Sequence, residues 1–199
     1  MNSKFFNFIA PFLRYIDQGH FFRKPFRIFY MLIAVLSLLT PLAVLYKMID
    51  NRMFRVSAKM TIGLLFLWVF ILAAYWVVFQ IWWSRKEDVG KQKAESEEFI
   101  ATPVFAHFVQ TAGEAFGALI AIVGAGFSLV SFLFFGDASR AIRQAVGVHG
   151  TDYGIIGVIV SPIIGFIVIV FTRFVSEQIR ALAAIANNTK NPTLSSSDP

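Results

Sequence analysis

No cysteine occurs in the 199 residues. That absence removes disulfides, thiolate metal sites and cysteine nucleophiles together. Charge is scarce too: Asp, Glu, Lys and Arg make up 15% of the chain, against about 25% in soluble domains. The motifs of common chemistries are also missing. There is no HExxH, no GxSxG, no dinucleotide fingerprint and no pair of catalytic carboxylates. The segment GVHGTDYG at 147–154 is rich in glycine but lacks the GK[ST] of a phosphate loop, so His149 and Asp152 read as turn residues. These absences leave little room for an enzyme, and no catalytic residue, metal or cofactor is assigned.

What is present is apolar. Hydrophobic residues make up 57% of the chain, 23 of them Phe, and the mean hydropathy is +0.65. A soluble protein of this size could not bury so many phenyl rings, whereas lipid solvates them. The formal net charge is +6. In such a chain that excess points to anionic lipid headgroups as partners. Nucleic acid would require a basic face on a soluble domain, and none is visible.

Four apolar stretches, at about 26–46, 60–83, 115–135 and 153–172, reach the roughly 20 helical residues that cross a hydrocarbon core. Backbone groups in lipid must be satisfied within their own segment, so these stretches predict helices. No short alternating pattern of the barrel type appears. The expected fold is therefore all-α, an integral membrane four-helix bundle.

The flanks extend this picture. In 1–25, Phe5, Phe8, Ile9, Phe12, Leu13 and Ile16 fall on one helical face opposite Lys4, Asn7, Arg14 and Asp17. This predicts an amphipathic helix lying in the interface, with a turn at Gly19; docking of the segment on the bundle is the alternative. Residues 84–98 mix four cations with five anions and read as a solvated hairpin or linker broken at Gly90. Thr102 and Pro103 look like an N-cap and first helical residue. A third helix over 103–135 would have 33 residues, about 50 Å at 1.5 Å per residue. The fourth continues past Arg173 through Val175, Ile179, Leu182, Ala183 and Ile185 to Ala186, with Asn187, Asn188 and Pro192 as stop signals. The four-helix domain thus covers 26–186 and the tail 187–199 is expected to be disordered.

With four spans both termini share a side. That side carries Lys4, Arg14, Arg23, Lys24, Arg27, Arg85, Lys86, Lys91, Lys93, Arg173, Arg180 and Lys190, twelve cations, against six at Lys47, Arg52, Arg55, Lys59, Arg140 and Arg143. The positive-inside rule places both termini in the cytoplasm, so the last two helices extend into it. Trp82 and Trp83 followed by Arg85 and Lys86 fit an interfacial aromatic belt with snorkelling cations.

Two constellations stand out. Around the centre of the loop 136–152, near Gln144, Glu114 lies 30 residues before (144 − 114) and Arg173 29 after (173 − 144). An antiparallel hairpin sets them at one depth, where each charge is costly alone and stabler as a pair. By the same spacing His107 is level with Arg180. His107, Gln110, Thr111 and Glu114 share one helical face, and Arg173, Glu177 and Arg180 share another. Three readings are open: a polar clasp fixing helix register, a proton or ion vestibule with Glu114 titrating and His107 as relay, and a metal site of His107, Gln110 and Glu114. The second constellation is Gly113, Gly117, Ala121 and Ala125, with Gly124 and Gly126 alongside. Small residues at this spacing let two helix backbones approach closely in lipid, within the chain or between subunits.

Ser37, Thr40 and Pro41 in the first span and Ser161 and Pro162 in the fourth predict bends. The midplane holds no charge and the halves show no inverted repeat, which disfavours a secondary transporter.

The ending Arg173, Glu177, Ile185 and Asn187 after the last apolar span resembles the close of small bacterial four-helix membrane proteins of unknown function. The resemblance covers roughly 20 residues; it implies a bacterial inner-membrane location and carries over no activity. The function expected is non-enzymatic: an accessory or assembly subunit of a larger membrane complex, or a structural homo-oligomer. A small oligomeric channel with Glu114 near its cytoplasmic mouth is the alternative.

Overall fold

The computed structural model describes residues 20–91, 101–135 and 154–190. They form four helices and no strand. Helix α1 is His20–Asp50 and α2 is Ala58–Lys91. Helix α3 is Ala101–Val130, continued by a π-helical turn at Ser131–Phe135. Helix α4 is Gly157–Lys190, entered through a 3-10 turn at Gly154–Ile156. Each is long and apolar enough to cross a membrane. Their outward faces carry large apolar side chains such as Leu36, Phe66 and Phe166, an arrangement suited to lipid rather than water.

The elements run further than composition suggests. Helix α2 passes through Gly90 without a break and ends at Lys91, so the expected linker begins later than residue 84. Arg85, Lys86, Glu87, Asp88 and Lys91 lie on this helix, with Glu87 and Asp88 exposed. Helix α3 starts at Ala101, ahead of the expected Thr102 cap. Helix α4 continues through Asn187 and Asn188 to Lys190, past the expected stop; side-chain stop signals are weak against a helix already propagating. Helix α1 begins at His20, inside the segment assigned to the interface. The amphipathic helix before residue 20, the linker at 92–100, the loop residues His149 and Asp152, and the tail beyond 190 lie outside the described residues.

The connection from α1 to α2 is tight. Arg52 takes a left-handed conformation (φ 54°). Its amide donates to the Ile49 carbonyl at 2.9 Å, which turns the chain into a 3-10 segment at Met53–Arg55. The Ser57 hydroxyl then accepts from the Met60 amide at 3.2 Å, an N-cap for α2. Helices α1 and α4 run on as single elements through Pro41 and Pro162. Near Pro41, the Ser37 and Thr40 hydroxyls donate to the Ile33 and Leu36 carbonyls at 2.8 and 2.9 Å. Trp68 Nε1 of α2 donates to the Pro41 carbonyl at 2.9 Å, tying the two helices together.

Packing is sequential and open rather than that of a closed four-helix bundle. Among the described residues helix α1 lies on α2, with a small contact to α3; α2 lies on α3; and α4 packs extensively on α3, with no comparable contact to α1 or α2. Two apolar clusters hold the first three helices: Tyr30, Ala34, Val78, Trp82, Val104 and Ala115 at one end, and Met48, Leu64, Leu67, Val130 and Phe135 at the other.

The α3–α4 seam is made by small residues. A Cβ on Gly113 would strike Thr172, one on Gly117 would meet the Gly165 carbonyl, and one on Gly124 would meet Ser161. Gly165 in turn faces the Gly117 carbonyl and Ala121. The stripe Gly113, Gly117, Ala121 and Gly124 is therefore spent on an internal contact, where dispersion between close backbones replaces the hydrophobic drive that lipid removes. Gly126 points elsewhere, against Phe70 of α2.

Candidate functional site

At the end of the seam α3 places Glu114 between two arginines. The residue is 8% exposed. Arg85 Nη2, from α2, donates to both carboxylate oxygens at 2.9 and 2.8 Å. Arg173, from α4, donates from Nε at 3.1 Å and from Nη2 at 2.8 Å, both to Oε1. One turn earlier on α3, Gln110 Nε2 donates to the same oxygen at 3.3 Å, while its carbonyl accepts from Arg180 Nη2 at 2.8 Å. Glu114 thus ties three helices together, and α2 and α4 meet through it.

Helix periodicity explains who arrives. Val78, Trp82 and Arg85 follow one another at i, i+4 and i+7, and the first two are buried; Arg85 prolongs that inward stripe of α2. Arg85 lies outside the cluster that the sequence predicts, because 84–98 has the composition of a solvated linker. The inward stripe through Val78 and Trp82 was the signal available. Trp82 is 5% exposed, with its ring 4.8 Å from that of Tyr30, so it faces the neighbouring helices instead of the outside. Trp83 remains on the surface, and Lys86 sits over its ring with Nζ 3.0 Å from the centroid, a cation–π contact.

His107 is placed differently from the expectation. It faces α1 and α2 rather than Arg180, which goes to Gln110. Its ring stacks on Tyr30 at 6.1 Å, and Nε2 is buried with no hydrogen-bond partner. No hydrogen bond joins it to Glu114. Thr111 lies on the same side. Its hydroxyl donates to the His107 carbonyl at 2.8 Å and accepts from the Tyr30 hydroxyl at 3.3 Å. Glu177 is exposed and makes no ion pair among the described residues. So Gln110, Glu114, Arg173 and Arg180 come together with Arg85, while His107 belongs to a neighbouring aromatic pocket and Glu177 to the surface.

Chemically the carboxylate is occupied. Four donor contacts fall on Oε1 and one on Oε2, and two guanidiniums counter a single negative charge. A base or a cation ligand must be free to give up its partners, and this one holds α2 and α4 in place. Among the described residues no three His, Asp or Glu are grouped as metal ligands.

No family model matches the chain, and no curated protein or solved structure matches it. Geometry alone therefore carries the functional reading.

Proposed function

We propose that this protein is a non-enzymatic, multi-pass subunit of a bacterial cytoplasmic-membrane assembly, either an accessory subunit among unlike chains or one copy of a structural homo-oligomer. One observation carries the reading: among the described residues α4 packs extensively on α3 and on no other helix to a comparable extent, leaving Ile163, Phe166 and Val170 exposed along the span. A helix held on one side only offers a partner a ready surface, while the arginine clasp keeps that helix in a fixed register. The channel alternative needs a free carboxylate at a pore mouth, and the two arginines on Glu114 weigh against it.

The absence of native cysteine makes the test clean. Ile163→Cys, Phe166→Cys and Val170→Cys, labelled with a benzophenone maleimide and irradiated in native membranes, should give a protein adduct of defined mass. Leu36→Cys on α1 and Val69→Cys on α2 should not. Twice the chain mass means a homo-oligomer and an unlike increment means an accessory subunit; lipid adducts alone at all five positions would end the subunit reading.

The excess of Lys and Arg on the terminal side places both termini in the cytoplasm in this proposal. A C-terminal reporter active only in the periplasm should stay silent, and a reporter active only in the cytoplasm should work at the same position.

A further inference from the structure

Glu114, Arg173 and Arg85 mark a common depth. Apolar residues 115–135 of α3 and 154–172 of α4, 21 and 19 in number, cover roughly 30 Å of helix before the charges begin. That is the thickness of a hydrocarbon core, so the arginines stand where the phosphates of a lipid leaflet lie.

Three guanidiniums converge there on one carboxylate and one amide. Each guanidinium has five N–H donors. Arg173 gives one contact from Nε and one from Nη2, and its side chain remains 54% exposed. Arg180 gives a single contact to Gln110 and is exposed. Among the described residues, donors of Arg173 and Arg180 are thus left over after the clasp is made. Arg85, Arg173 and Arg180 outnumber the single carboxylate of the clasp, Glu114, and guanidinium forks match phosphate oxygens.

We propose that the open edges of Arg173 and Arg180, held in place by Glu114 and Gln110, form a binding site for one phosphate group, supplied by an anionic phospholipid headgroup or by free phosphate. The site needs only the membrane depth of this end, and it stands whether or not α4 meets a partner. The basic residues at the other end offer a control, because Arg55 is exposed in the α1–α2 connection and far from the clasp.

The full chain, delipidated in a neutral detergent, is titrated with phosphatidylglycerol, with phosphatidylcholine and with inorganic phosphate while thermal unfolding is followed. Phosphatidylglycerol should raise the melting temperature by several degrees and phosphatidylcholine much less. Arg180→Gln, which leaves the Glu114 pairs intact, should lose at least half of that rise measured from its own lipid-free value. Arg55→Gln should keep all of it. A comparable rise with inorganic phosphate assigns the site to free phosphate, and none with it assigns the site to the lipid. The proposal is overturned if neither phosphatidylglycerol nor phosphate shifts the melting temperature, or if Arg180→Gln and Arg55→Gln respond alike.

Discussion

Replacing Glu114 by Gln is expected to destabilise the folded protein in detergent by about 3 kcal/mol, the lower end of the cost of breaking a buried ion pair. The carboxylate is nearly buried and accepts from Arg85, Arg173 and Gln110. An amide in its place cannot neutralise two guanidiniums, and its NH2 would face donors. Arg85→Gln and Arg173→Gln should cost less, because each leaves the carboxylate one cation. Of the two, Arg85→Gln should cost more, since its side chain is 25% exposed against 54% for Arg173 and solvent screens the more open pair. The order Glu114, Arg85, Arg173 is therefore a signature of a bridged carboxylate rather than a simple pair. Denaturant unfolding of the three single variants and of Glu114→Gln with Arg173→Gln measures it. The double variant should cost less than the sum of its parts; strict additivity would remove the clasp.

The second large effect is expected on the α3–α4 seam. Gly165→Val should cost about 3 kcal/mol, at the upper end of overpacking penalties. A side chain there would run into the Gly117 carbonyl and Ala121, and a helix carbonyl cannot rotate aside as a side chain can. Gly117→Val meets the reciprocal obstacle at the Gly165 carbonyl, 2.5 Å from an added Cβ. Gly124→Ala meets the Ser161 Oγ at 2.6 Å and its Cβ at 2.7 Å; a rotamer change clears the first and a small backbone shift the second, so it should cost about 1 kcal/mol, the lower end of overpacking penalties. Pushing α4 off α3 also withdraws Arg173 from Glu114, so Gly165→Val combined with Arg173→Gln should be sub-additive in the same unfolding assay. Equal losses for Gly165→Val and Gly124→Ala would mean that the close backbone approach is not what holds the seam.

The two sites differ in how much of them could be read beforehand. Glu114 and Arg173 lie at nearly equal distances from the centre of one hairpin loop, and both helices rise by the same amount per residue, so counting suffices to set them level. Arg85 lies in the neighbouring hairpin, where the same counting is less direct. The midpoint of Arg85 and Glu114 falls between residues 99 and 100, at the end of the α2–α3 connection instead of its middle. Equal counting about that connection leads from Arg85 to the neighbourhood of His107; the long side chain instead reaches Glu114. Trp82 shows the same limit. A tryptophan beside cations suits an interface by composition, and only its rotation about the α2 axis turns it onto Tyr30.

The sequence by itself determined the number of helices and the residues that could form the internal seam. Those follow from local conditions: lipid obliges each segment to satisfy its own backbone, and small residues at helical spacing allow a close approach. Only the tertiary structure decided which helix each one packs on, how far α2 continues past its apolar span, and that Glu114 is bridged by two arginines instead of paired with one. Lipid is as apolar as a leucine side chain, so hydropathy carries no preference among neighbours or rotations. A few close contacts and charge pairs make that choice, and they exist only once the helices are side by side.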